Sequence, residues 1–211
     1  MNEPMGMLMA MMQPPADMEE EFQDWYDTEH IPERAAITGF LSAQRFVCLD
    51  GFPKYIAAYD LTHHGVLQEP EYQAVAGTNF SPWSKRILPR VHGQRRLEGP
   101  QIYPGSARYG DSGKPARCAI VRLRGMEPDS EASIVEGLRA CFESRDDVLQ
   151  IRIWRSNYHG DNSIICMVEG DISLDLKSFD YSPLGALRHH VDLANLYVEY
   201  WRRGVLTGVF K

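Results

Sequence analysis

The segment from Glu20 to Arg34 gathers groups that could do chemistry, and His30 is at its centre. Imidazole titrates near neutral pH, so His30 can take a proton and return it under physiological conditions. Glu29 or Glu33 could orient the ring. Tyr26 offers a hydroxyl donor, Trp25 and Phe22 an aromatic wall, and Arg34 a guanidinium for an anionic substrate. This set suits proton transfer of the lyase, isomerase or cyclase type, with no organic cofactor, on a small apolar or aromatic metabolite. Two roles stay open to His30, because a histidine near a helix C-terminus is also favoured by the helix dipole alone. Trp25 likewise reads either as ligand wall or as core.

Elsewhere the chemistry is sparser. His63-His64 and His189-His190 are adjacent pairs, and neighbouring side chains diverge, so neither pair readily gives two ligands to one metal. His159 falls in a hairpin turn. No HxH, HExxH or carboxylate-rich cluster suggests a metal, and P-loop, dinucleotide and serine-nucleophile signatures are missing. A single axial histidine needs no local motif, so haem stands as the alternative cofactor. Cys48, Cys118, Cys141 and Cys166 form no CxxC pair and read as reduced core thiols.

The elements that must position His30 follow from pattern. The apolar run Met5 to Met12 reads as a buried first strand. Asp17 and Glu20 are spaced as a capping box for a helix through Met18, Phe22, Trp25, Tyr26 and Glu29 to about His30. At 100° per residue these side chains share one face, which places Glu29 in an apolar stripe, where an ionised carboxylate needs a partner or a cavity. Pro32 should end or restart that helix. Phe40 to Leu49 and Lys54 to Leu61 form a hairpin about Asp50-Gly51. A helical region broken by Gly77 and Pro82 spans His64 to about Arg90, and a strand follows near Gln94 to Tyr103. Gly and Pro then crowd residues 104–115. Beyond them the order restarts: strand Ala119 to Leu123, helix Ser130 to Phe142, strands Val148 to Trp154 and Ser163 to Val168, a helical segment Ser182 to His190, and a closing strand Leu196 to Trp201.

The order βαββαβ thus occurs twice, which predicts an α+β fold of duplicated ferredoxin-like halves: residues 1–104, a linker 105–116, and a second, degenerate half 117–211. One such unit covers only one face of its sheet with helices. A second copy is the simplest cover for the other face, giving an α/β barrel with antiparallel sheets.

Trp25-Tyr26, then His30, then Ile31-Pro32, resembles the helix-one signature of EthD-like proteins of the dimeric α/β barrel superfamily. The resemblance covers the first half through Pro53-Lys54-Tyr55. It implies ferredoxin-like halves and a homodimer. The wider superfamily spans monooxygenases, isomerases, polyketide cyclases, aldoxime dehydratases and haem-dependent enzymes. The second helix, Glu131 to Phe142, carries no Trp, Tyr or His in the signature places, so one site per chain is expected, with the second half as a structural partner.

Bulk properties bound the rest. The 211 residues are 44% hydrophobic and 24% charged, with a formal net charge of -7. No basic stripe marks a nucleic-acid footprint. The Met-rich start has no basic residue before it and is too short to span a bilayer. The expected partner is a small-molecule substrate, with neither nucleic acid nor membrane, in a soluble cytoplasmic setting. A binding or accessory protein that holds its ligand without turning it over is the non-enzymatic alternative.

Overall fold

The computed structural model describes residues 3–156, 158–160 and 162–200. Eight antiparallel strands close into one barrel: β1 (Gly6–Gln13), β2 (Phe40–Asp50), β3 (Tyr55–Leu61), β4 (His92–Tyr103), β5 (Arg117–Arg124), β6 (Val148–Ser156), β7 (Ser163–Gly170) and β8 (Val191–Glu199). Around the barrel the order is β1-β3-β2-β8-β5-β7-β6-β4. Each half therefore lays its strands in the same sequence, β4-β1-β3-β2 and β8-β5-β7-β6. The seams are β2 against β8 and β4 against β6. At the second seam the backbones nearly touch. A Cβ added to Gly99 would lie 1.7 Å from the carbonyl oxygen of Arg155, so only glycine fits there.

Alternation along the strands divides the core in three. Met7, Met9 and Met11 point into the barrel with Ile56, Ile120, Ile165, Met167 and Tyr197. Leu8 and Met12 point the other way, under the helices of the first half. Both faces of β1 are buried, which is why its sequence reads as one apolar run. In the second half, α5 (Glu131–Phe142) turns Ile134, Leu138, Cys141 and Phe142 onto the sheet.

One end of the barrel is bolted by charge. Arg152 of β6 reaches across the interior to Asp60 of β3 at 2.7 Å and Glu169 of β7 at 2.6 Å. The segment between the halves closes over them: the amide of Tyr109 donates to Asp60 and that of Gly110 to Glu169. Residues 104–115 are thus pinned at their middle rather than merely spanning a gap.

Several local expectations are corrected. Asp17 caps nothing; it lies in a short turn, Ala16–Met18, and α1 (Glu19–Trp25) starts without a side-chain cap. Of the two outcomes open at Pro32, the helix restarts rather than ends. It passes through a π-helical turn, Tyr26–His30, into α2 (Ile31–Ala35), which carries Pro32 in its first turn. The region from His64 to Arg90 is a chain of short turns around α3 (Pro70–Gln73) and α4 (Pro82–Ile87). The segment Ser182–His190 is 3-10 helical, and β8 begins at Val191, five residues before the expected start. Trp201 lies outside the described residues. No helix among the described residues is long and apolar enough to cross a membrane.

Candidate active site

His30 owes its position to the π turn. Pro32 has no N–H for the carbonyl of Thr28, and its ring crowds that carbonyl. The chain widens instead: the amide of Ile31 bonds the carbonyl of Tyr26, five residues back. This adds a residue to the turn and resets the helix phase. Tyr26, Asp27, His30, Ile31 and Arg34 become the buried set, and Glu29 moves off it.

His30 and Arg34 line a cavity of about 60 Å³ between α2 and the outer face of the sheet, with Leu8, Ala10, Met12, Tyr59, Tyr72 and Arg96 also in its walls. Four lining side chains bring buried polar atoms that have no hydrogen-bond partner: His30 Nδ1, Arg34 Nη1, Tyr59 Oη and Arg95 Nη1. Such orphans are costly in a folded core, so their convergence on one cavity marks a place prepared for a polar guest. Burial holds the imidazole pKa well below its ordinary value, and the cations of Arg34, Arg45 and Arg96 push it the same way. His30 is therefore a neutral base at pH 7. Burial also lifts the Tyr59 phenol well above its ordinary range, so it is a hydrogen-bond donor. Glu33 is the carboxylate nearest the ring, 4.0 Å from Nδ1, and burial raises its pKa.

The other candidates take supporting places. Trp25 packs on His30 with ring centroids 4.5 Å apart and planes tilted by 31°, and donates its indole N–H to Ser84 at 3.0 Å. Tyr26 meets His30 edge-on at 5.3 Å, and burial pushes its pKa up to about 12. Phe22 packs against Trp25, Tyr26 and Tyr55, away from the cavity. Glu29 does not face the ring. Its carboxylate accepts the Ser81 hydroxyl at 2.5 Å, and Ser81 in turn caps α4. Beneath the helix, Asp27 forms a buried ion pair with Arg45 at 2.6 Å, and the Arg45 guanidinium lies 4.4 Å from the centre of the Tyr26 ring.

Tyr59, Tyr72 and Arg96 were not singled out from the sequence. A signal existed for Arg96: Gln94, Arg96 and Glu98 alternate along β4, so three polar groups share the face that meets the helices. Tyr59 shares its face with Tyr55 and Ala57 in the same way.

The remaining histidines do not converge. His63 approaches Glu3 and Glu69, His64 approaches Glu98, and His190 contacts the Arg124 carbonyl. Among the described residues, no group of three or more His, Cys, Asp or Glu is placed to hold a metal ion. A haem fares no better at His30. The space beside this ring is about 60 Å³, which admits only the reacting edge of a ligand and not a whole porphyrin. The residues around His30 do not fit a macrocycle.

Comparison with known structures agrees with the architecture. A protein described as anthrone oxidase-like superposes with TM-score 0.68 at 10% identity, over 94% of this chain and 92% of that one. The shared fold is an α/β barrel of eight antiparallel strands. A monooxygenase candidate from Fusobacterium nucleatum aligns at TM-score 0.51 and 10% identity, over 94% of this chain and 93% of that one. Chlorite dismutase from Candidatus Nitrospira defluvii, in complex with imidazole, aligns at 0.57 and 12%, over 100% and 97%. No family model and no curated relative matches the sequence. At such identities the α/β barrel is shared as a scaffold, and chemistry has to be argued from the site.

Proposed function

We propose that this chain is an enzyme that removes a proton from a small carbon or oxygen acid, with His30 as general base. The observation that carries the reading is the cavity where a neutral imidazole shares space with the unbonded Nη1 of Arg34 and Oη of Tyr59. The proton moves from the substrate to His30, and the electron pair left behind settles on a substrate oxygen. Arg34 and Tyr59 supply donors for that oxygen, and Glu33 offsets the imidazolium. Tyr26 and Trp25 hold the ring in place.

The likeness to an anthrone oxidase-like protein supports this substrate class. An anthrone is a carbon acid whose conjugate base is an aromatic alkoxide. The resulting anion could be reprotonated elsewhere, expel a leaving group, close a ring or meet dioxygen, and the EthD-like helix signature fits any of these. The homodimer implied by that signature would use surfaces other than the inner sheet faces, which the barrel already covers.

The test is hydrogen–deuterium exchange at the acidic carbon of anthrone and of related naphthols and β-keto esters. The wild type should accelerate exchange, and His30→Gln should lose about 10²–10⁴-fold. Equal exchange in both would remove His30 from the chemistry. Shifts in melting temperature across the panel with no exchange in the wild type would instead assign a binding protein. Likeness to chlorite dismutase favours a haem reading. That reading requires a Soret band on haem addition that substitution of a single histidine abolishes, and the small cavity beside His30 speaks only against His30 as that ligand.

A further inference from the structure

Beside the His30 cavity lies a groove of about 510 Å³, and the two share Tyr72, Phe80, Gln94 and Arg96 as walls. Its volume falls within the range of ligand pockets. Three aromatic rings line it: Tyr72, Phe80 and, from the second half of the chain, Tyr158. Arg96 stands between the two spaces. Its Nε donates to Glu98 at 2.5 Å and its Nη1 to the Tyr72 hydroxyl at 2.8 Å. Its guanidinium also lies 5.2 Å from the centre of the Tyr158 ring and 5.7 Å from that of Tyr72. Among the described residues nothing accepts a hydrogen bond from its Nη2.

We infer that the groove is the binding site for the body of a flat aromatic ligand with a carbonyl or hydroxyl oxygen, and that Arg96 is the latch between groove and cavity. The proposal rests on the proton-transfer reading of His30 and adds how a ligand reaches it. The rings give a planar ligand stacking surface. Its oxygen takes donors from Arg96 in exchange for the Tyr72 hydroxyl, and the freed arginine opens the wall towards His30. Glu98 keeps the guanidinium oriented during that exchange, since it holds a different nitrogen. Arg96 thereby becomes a specificity-determining residue, because a site built to bond an oxygen rejects the analogue that lacks it.

The probes are 2-acetylnaphthalene and 2-ethylnaphthalene, of matched shape and differing in the oxygen. Titration calorimetry on the full chain should show the ketone binding at least about tenfold tighter. Arg96→Gln should erase most of that preference while leaving the hydrocarbon's affinity as it was, and Arg96→Lys should restore part of it. Tyr72→Phe should speed modification of His30 by diethyl pyrocarbonate severalfold, read by mass spectrometry, because the latch loses its catch. Retained ketone preference in Arg96→Gln, or parallel losses for both probes, would overturn the assignment. So would an unchanged His30 modification rate in Tyr72→Phe. Groove binding is independent of the base: His30→Gln should still prefer the ketone. Wild-type protein that shows the preference but catalyses no exchange would refute the proton-transfer reading and leave the groove standing.

Discussion

The rings of Trp25 and His30 pack with centroids 4.5 Å apart and planes tilted by 31°, although the residues are five positions apart in sequence. In a regular α-helix that spacing puts side chains about 140° apart, on different faces. The π turn between them brings both rings to one side, and Pro32, which offers no N–H to the Thr28 carbonyl, is its expected cause.

Replacing Pro32 tests that cause. Pro32→Ala restores a backbone donor for the Thr28 carbonyl, so the helix can relax to regular pitch and swing His30 away from Trp25. We expect a melting temperature equal to or above that of the wild type, since the helix regains a bond. Exchange at the substrate carbon should fall at least about tenfold, because reacting groups tolerate little misplacement. Unchanged exchange would show that the π turn has another cause.

Stability should depend on His30 through pH. Burial, with the cations of Arg34, Arg45 and Arg96 nearby, holds the folded imidazole well below its ordinary 6.5, and the Glu33 carboxylate lies 4.0 Å from its Nδ1. As pH falls through 6.5, the unfolded chain binds the proton that the native state refuses. Stability is therefore full above about pH 7 and is lost as pH drops towards the folded pKa. Melting temperatures between pH 8 and 5 should fall less steeply in His30→Gln. Parallel curves would mean that the ring is solvated and charged in the native state.

The Asp27–Arg45 pair anchors the helix to β2. Both side chains are buried, so removing one leaves the other's charge in the core without its ion-pair partner. Arg45→Met should cost about 3–5 kcal/mol in urea unfolding, and the double change Asp27→Leu with Arg45→Met should cost less than that single change. Costs that simply add would show that the two charges do not depend on each other.

The fold was more legible than the site. Strand alternation and the repeated element order pointed to a closed α/β barrel, because both depend on periodic burial that a linear sequence records. The site depends on phase. A helical wheel at fixed pitch put Glu29 in the apolar stripe, whereas the π turn buries Asp27 and His30 and hands Glu29 to Ser81. Tyr59 and Arg96 come from strands distant in sequence and meet His30 only through the topology.

The bolt at the barrel end gives the last prediction. Arg152 holds Asp60 from the first half and Glu169 from the second, with the Tyr109 and Gly110 amides on the same carboxylates. Burial raises the pKa of Glu169, and Arg152 is the main group drawing it down again. In Arg152→Met that restraint is gone and the Glu169 pKa climbs further. A carboxyl raised in the folded state binds a proton that the unfolded chain releases, so its contribution is lost as pH rises through the folded pKa. Arg152→Met should therefore lose about 3–5 kcal/mol at pH 8 and visibly less at pH 5. Adding Asp60→Asn and Glu169→Gln to Arg152→Met should recover part of the loss at pH 8. A deficit equal at both pH values would show that the arginine contributes by packing, through its contact with the Trp154 ring at 4.8 Å, rather than by charge.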